Sequence, residues 1–372
     1  MLASLRSLRL HYNYITGTIP SELGALSSLR YVLLQQNPIT GTIPSELGTL
    51  STMVDLRLHN NRITGTIPSE LGKLSLLRSL YLNSHFISGT IPSELFTLSS
   101  LQNFDLHGNE MSGTISSELG KLSSLTFLQL GHNSIFGKIP SEIGLLSSLS
   151  RNLALDSNYI TGSLPSELGL LQSLRSLYVN SNDITGTIPS ELGELISLTT
   201  LQINANFISG SLPSELCALT ETYIFYDEHE ISCSCTESTY IVGTTCNLMP
   251  FSDFPSVLPS STPYMNPTSN PTAISTEEPS SNPTALTMSP TAVATMFVLH
   301  EFYSSTGGIN WIDTWDFSSG ESWCSFHGIT CDDFDQIIKI SLEQNNLEGT
   351  IPSELGMLAS LRSLRYHWHN TI

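Results

Sequence analysis

Apolar positions follow one pattern through the first 216 residues. The order is L-x-x-L-x-x-L-x-L-x-x-N-x-I-T-G-T-I-P-S-E-L-G-x. Anchored at the isoleucine or leucine before Pro-Ser-Glu (Ser-Ser-Glu after Ile115), copies stand at Ile19, Ile43, Ile67, Ile91, Ile115, Ile139, Leu164, Ile188 and Leu212. The step is 24 residues, except for one of 25 with its extra residue within 150–152, and a further copy stands at Ile351. The L-x-L step has period two, so it predicts a short strand with both leucines on the inner face. One repeat cannot bury its leucines alone. Successive repeats must therefore stack as parallel strands into a solenoid.

Two polar columns run with the leucines. Asparagines at 13, 37, 61, 109, 133, 158, 182 and 206 mark where the chain turns inward. A carboxamide both donates and accepts, so each can satisfy backbone groups of the adjacent turn. His85 takes one place in this column and is read as a substitution that leaves a weak rung. A Ser-Glu pair follows the corner in every copy, from Glu22 to Glu215 and again at Glu354. The serine is expected to cap a short helical turn, with the acid suited to the positive end of its dipole. The glutamate row is read as part of the scaffold rather than as a cation site.

The phrase N-x-I-T-G-T-I-P-S-E-L-G resembles the plant-type leucine-rich repeats of secreted and receptor-like proteins of plants and algae. The resemblance covers residues 1–216 closely and returns at 294–372. It implies an α/β repeat solenoid, a horseshoe or superhelix with a parallel concave sheet, capped by disulfides. It also implies a second short strand at the G-T-I-P segment. Near the other end, FVLHEFYSSTGGINWIDTWDFSSGESWCSFHGITCDD is similar to the N-terminal cap of that family. Trp323, Cys324, Gly328, Ile329, Thr330 and Cys331 match its motif, which implies a Cys324–Cys331 disulfide. Phe326 stands where plant members often have tryptophan.

These readings divide the chain. Residues 1–216 form a nine-repeat array without an N-terminal cap. Residues 217–247 form a cysteine-rich C-terminal cap. Residues 248–292 are a Pro/Ser/Thr-rich linker of low burial, expected to be disordered. Residues 293–336 form the N-terminal cap, and 337–372 hold one and a half truncated repeats. Cys217, Cys233, Cys235 and Cys246 are read as staples of the C-terminal cap, with three pairings open. Neither cysteine group contains Cys-x-x-Cys, so zinc is not favoured. Asp227 to Glu230 is read as a solvated turn. The order of parts is inverted, since the array comes first and its N-terminal cap last.

One phrase, MLASLRSLR, occurs at 1–9 and again at 357–365. Met1 occupies the slot of Met357, so the chain starts in mid-repeat. Two readings stay open. Met1 is an internal methionine of a longer array whose cap and signal peptide are missing, or the chain is permuted and its ends stack. Nine repeats span about 40 to 45 Å at roughly 4.8 Å each. The linker reaches well over ~100 Å at about 3.1 Å per residue. The tail can therefore fold back onto the first repeat, in cis or on another molecule.

Charge and chemistry narrow the function. The net charge of −19, from 33 acidic and 14 basic residues, argues against nucleic acid and against anionic lipid. No stretch approaches the roughly 18 apolar residues of a membrane span, and no signal peptide is visible. No cofactor motif, metal cluster or catalytic constellation stands out, so the reading is non-enzymatic. Residues flanking the inward leucines face the concave side. One column holds Arg9, Arg57, Tyr81, Asp105 and Tyr178, the next holds His11, His59 and His107, and a third holds Tyr31 and Phe127. Arginine and aromatics are enriched at binding hot spots. The expectation is a protein, peptide or glycan ligand on this face, outside the cell or at its surface. The alternatives are an adhesive wall or matrix protein with the repeats as spacers, or the ectodomain fragment of a receptor kinase.

Overall fold

The computed structural model describes residues 5–219, 222–227, 231–232, 290–311, 313–317, 322–342, 347–358 and 360–365. Cys233, Cys235 and Cys246, read above as staples, lie outside these residues, as does the linker up to the helix Pro290–Ser305.

The concave wall is one thirteen-stranded sheet. Its strands run in array order from Ser7–Arg9 to Thr200–Gln202, each paired in parallel with the next. The register keeps like positions together, as in Leu56 opposite Leu80 and Arg57 opposite Tyr81. Inward leucines such as Leu56, Leu58, Leu80 and Leu82 are fully buried in one continuous core. A second, seven-stranded ladder runs beside this wall, from Thr64–Gly65 to Phe207–Ile208. Between the ladders each repeat makes a 3-10 turn, such as Ser45–Thr49.

The asparagine column is the bracket between repeats. The Asn61 amide donates to Leu58 O at 2.6 Å within its own repeat and to Leu34 O at 3.0 Å in the preceding one. Its Oδ1 accepts from Ile39 N–H at 3.1 Å. The residue before each position of this column sits in the left-handed region, including Asn60 at φ 55° and, before His85, Ser84 at φ 60°, which tightens the turn inward. His85 is buried in its slot, where its ring approaches the Leu58 and Asn61 carbonyls without the geometry of a good hydrogen bond. Burial holds its pKa down to about 4 from the usual 6.5.

Glycines let the repeats approach on the outer side. A Cβ on Gly48 would stand 2.3 Å from Glu70 O of the next 3-10 turn. The serine caps differ from expectation. The N-cap of most turns is the proline, which has no side chain to accept, and Ser45 Oγ lies 3.5 Å from Glu46 Oε2 instead. Where serine replaces that proline, at Ser116, its Oγ does accept from Glu118 N–H at 3.2 Å.

Both ends extend the concave sheet. Past the last full repeat, Tyr223–Phe225 pairs with Thr200–Gln202, so the wall continues one strand beyond where the repeat phrase decays. Cys217 is disulfide-bonded there. At the other end, Ser363–Arg365 lies parallel to Ser7–Arg9, with Leu364 opposite Leu8. Ile337–Ser341 follows, and the antiparallel strand Ile329–Cys331 closes the sheet. The helix Pro290–Ser305 packs Phe302 against Trp311 and Trp315 over this end, and Cys324 is bonded to Cys331. No helix among the described residues is long and apolar enough to cross a membrane.

Candidate functional site

Strand pairing aligns the concave columns and gathers side chains of the third to seventh repeats into one shelf. The Arg57 guanidinium binds Asp55 through Nε and Nη2, at 2.9 and 2.8 Å. This hydrogen bond leads the upward shift of its pKa. The same guanidinium lies 5.1 Å from the Tyr81 ring centroid. Tyr81 leans toward Phe127, with centroids 6.4 Å apart and the rings inclined by 41°. Arg151 covers Phe127 at 4.7 Å and donates from Nη1 to Asn103 Oδ1 at 3.2 Å. Two guanidiniums thus flank an aromatic pair, an arrangement in which cation–π attraction orders all four groups.

Polar groups border this shelf. Asp105 is 7% exposed, and desolvation pushes its pKa up to about 6 against one stabilising bond from His107 N–H at 3.1 Å. His59 is lowered to about 4, first by burial and then by the Arg57 charge. Its Nδ1 is buried without a hydrogen-bond partner, while its ring stands 5.7 Å from Tyr81. His107 packs edge-on against His132 at 4.8 Å, and His132 Nε2 stands 3.3 Å from Asp156 Oδ2. Among the described residues no three His, Cys, Asp or Glu side chains converge as a metal site requires.

The structure brings Arg57, His59, Tyr81, Asp105, His107 and Phe127 together. Arg9 and Tyr31 form a separate pair nearer the first repeat, 5.6 Å from guanidinium to ring. His11 stacks edge-on with Tyr12, 5.4 Å away. Tyr178 lies on the strand two rungs past Phe127, paired with Ala154 and Gln202. Burial departs from a freely exposed face. Phe127 is only 8% exposed, because Arg151 covers it. Arg151 and His132 join the site although neither stood out in the sequence. The 25-residue step hid Arg151, since it shifts the column by one. His132 sits in the left-handed turn position, outside the period-two alternation.

Comparisons with known proteins bear on the repeat fold that carries these residues. A model of the leucine-rich repeat region matches residues 1–133, and the single leucine-rich repeat matches 124–146, 173–195 and 197–219. This chain is a plant-type leucine-rich-repeat protein. A probable leucine-rich-repeat receptor-like serine/threonine-protein kinase of Arabidopsis thaliana is 39% identical over 69 residues, which is 18% of this chain and 9% of that protein. Among solved structures, the plant peptide hormone receptor RGFR1 in complex with RGF2 is 37% identical, with a TM-score of 0.59. That alignment covers 62% of this chain and 36% of the receptor. The leucine-rich-repeat ectodomain of the Arabidopsis receptor kinase HAESA, in complex with a peptide hormone, is 31% identical, with a TM-score of 0.55. It covers 59% of this chain and 37% of the receptor. The matched part of this chain thus spans 9% of the receptor-like kinase and little more than a third of the two solved receptor chains.

Proposed function

We propose that this protein is a non-enzymatic recognition module that holds a peptide or protein segment on its concave face, outside the cell or at its surface. The observation that carries the reading is the Arg57–Tyr81–Phe127–Arg151 shelf, bordered by the unsatisfied Nδ1 of His59 and the half-satisfied carboxyl of Asp105. Buried polar groups lacking partners favour a ligand that supplies them. Similarity to receptor ectodomains solved with peptide hormones supports a peptide over a glycan. A ligand of this kind buries the rings and exchanges water for guanidinium and imidazole contacts.

Peptide and glycan arrays probed with the full chain test this reading. We expect peptide hits whose affinity falls about 30-fold in Tyr81→Ala, near 2 kcal/mol. Phe86→Ala, an exposed ring on the outer ladder, should leave binding unchanged. Hits insensitive to Tyr81 and Arg57 would reject the concave site. Silence on both arrays would favour the spacer role.

A further inference from the structure

The junction of tail and array assembles a second concave patch. The Arg6 amide donates to Arg362 O at 3.0 Å, and the Arg30 amide donates to Arg6 O at 2.9 Å. Arg362, Arg6 and Arg30 therefore stand on three successive rungs at the entry to the concave strands. Three residues further along two of these strands, Arg365 faces Arg9 in register. Each is held the same way. Arg9 Nε donates to Ser7 Oγ at 3.0 Å, and Arg365 Nε donates to Ser363 Oγ at 3.2 Å. Arg9 and Arg30 also share the ring of Tyr31, at 5.6 and 5.9 Å.

Five of the 14 basic residues of a chain of net charge −19 thus lie on adjacent rungs, with Arg9 and Arg365 side by side and Arg30 sharing Tyr31 with Arg9. Among the described residues none of the five makes an ion pair. Like charges directly opposite in a sheet are destabilising, and here the strands are only about 4.8 Å apart. The guanidinium fork matches a carboxylate in geometry and in charge. The same concave column leads from Arg9 through Leu33 to Arg57, at the edge of the aromatic shelf. An extended peptide covers that distance of about 10 Å with three or four residues.

We propose that this junction is an anion site for an acidic peptide segment, seated beside the aromatic shelf. The proposal rests on the concave-face reading above and specifies its ligand. Fluorescence anisotropy with the full chain and labelled octaglutamate tests it, with octalysine and polygalacturonate as comparison probes. Octaglutamate should bind at low salt, bind less tightly at 0.3 M salt, and lose about tenfold in affinity in Arg9→Ala/Arg365→Ala. Arg9→Lys/Arg365→Lys should retain most of the binding, and circular dichroism should show all variants folded. Glu46→Gln/Glu70→Gln, which changes net charge away from the patch, should leave the affinity within twofold. Octaglutamate that fails to bind, or binds equally to the alanine pair, overturns the proposal. So does polygalacturonate binding through these arginines while octaglutamate does not. Array peptides that need Tyr81 but carry no acidic run would sink the anion site and leave the concave-face reading standing.

Discussion

An interior junction and the junction of tail with array use the same strand pairing but differ in what stands behind it. Between the repeats of Val32 and Leu56, three fastenings act together. The concave strands pair, Asn61 reaches back to Leu34 O and Ile39 N–H, and the outer chain bonds from Thr64 N–H to Gly41 O at 2.7 Å. At the tail junction the strands pair in equivalent register, Leu8 with Leu364. The outer side does not keep step. Tyr14–Ile15 pairs with Glu348–Gly349, and Thr350 Cγ2 leans over Gly17 as Thr18 Cγ2 leans over Gly41. Glu348–Gly349 precedes Ser363–Arg365 in the chain, so among the described residues the concave sheet gains a strand at this junction that the outer pairing passes over.

The asparagine bracket is thinner at this junction too. Asn13 donates to Leu10 O and His11 O within its own repeat, and its buried Oδ1 has no partner. Strand pairing needs only a short phrase, and SLR supplies it twice. The bracket and the outer ladder need the whole repeat. The tail junction should therefore open before any interior junction does.

The largest test of this contrast compares two leucines of equal burial. Leu56→Ala should cost about 3 kcal/mol of global stability in urea unfolding, from lost transfer energy plus a cavity. Leu364→Ala should cost the array less, while amide exchange of residues 360–365 and 7–9 rises together. Equal loss at both sites would make the junction an ordinary one.

The brackets come next. Asn61→Ala should cost about 2 kcal/mol, because it leaves Ile39 N–H and two carbonyls unsatisfied. Asn13→Ala should cost about half of that, since the junction makes fewer of these bonds. Thermal unfolding of the two variants measures the difference.

The smallest effect concerns the weak interior rung. His85→Asn should stabilise the fold by about 1 kcal/mol at neutral pH by restoring the bracket. Its advantage should grow in acid. Folded His85 titrates at about 4, but the unfolded chain takes up its proton near 6.5. Wild-type stability from this group is complete above that range and falls as pH drops from about 6.5 toward 4. His59 acts in the same direction. Asp105 opposes both. Its carboxyl is raised to about 6, so its contribution is present below the ordinary carboxylate range and is lost as pH rises toward 6. The difference in Tm between His85→Asn and wild type, followed from pH 7 to 4, isolates the histidine.

Much of the fold was legible because the constraints repeat. The L-x-L step, the asparagine column and the 24-residue period set the concave wall and the columns that face it. The weak rung at His85 was legible for the same reason. Features that depend on one repeat meeting a different one were harder to read. Proline at the turn entry displaces the serine cap expected of Ser45, a matter of one residue of phase. Phe127 looked like an open ring until the inserted residue near Arg151 brought a guanidinium over it. The tail repeats could be seen to fit the open edge, but the unequal step of the inner and outer ladders follows from three-dimensional stacking. So does the gathering of Arg362 and Arg365 beside Arg6 and Arg9, residues more than 350 positions apart in the chain.

The pairing of Ser7 with Ser363 offers the most direct measurement. Parallel neighbours lie about 4.8 Å apart, within the reach of a disulfide. Ser7→Cys/Ser363→Cys in the full chain, oxidised and mapped by non-reducing peptide mass spectrometry, should give a monomer with a 7–363 cross-link. A cross-link found only in dimers, or none while the fold persists, would contradict the docking of the tail on its own array.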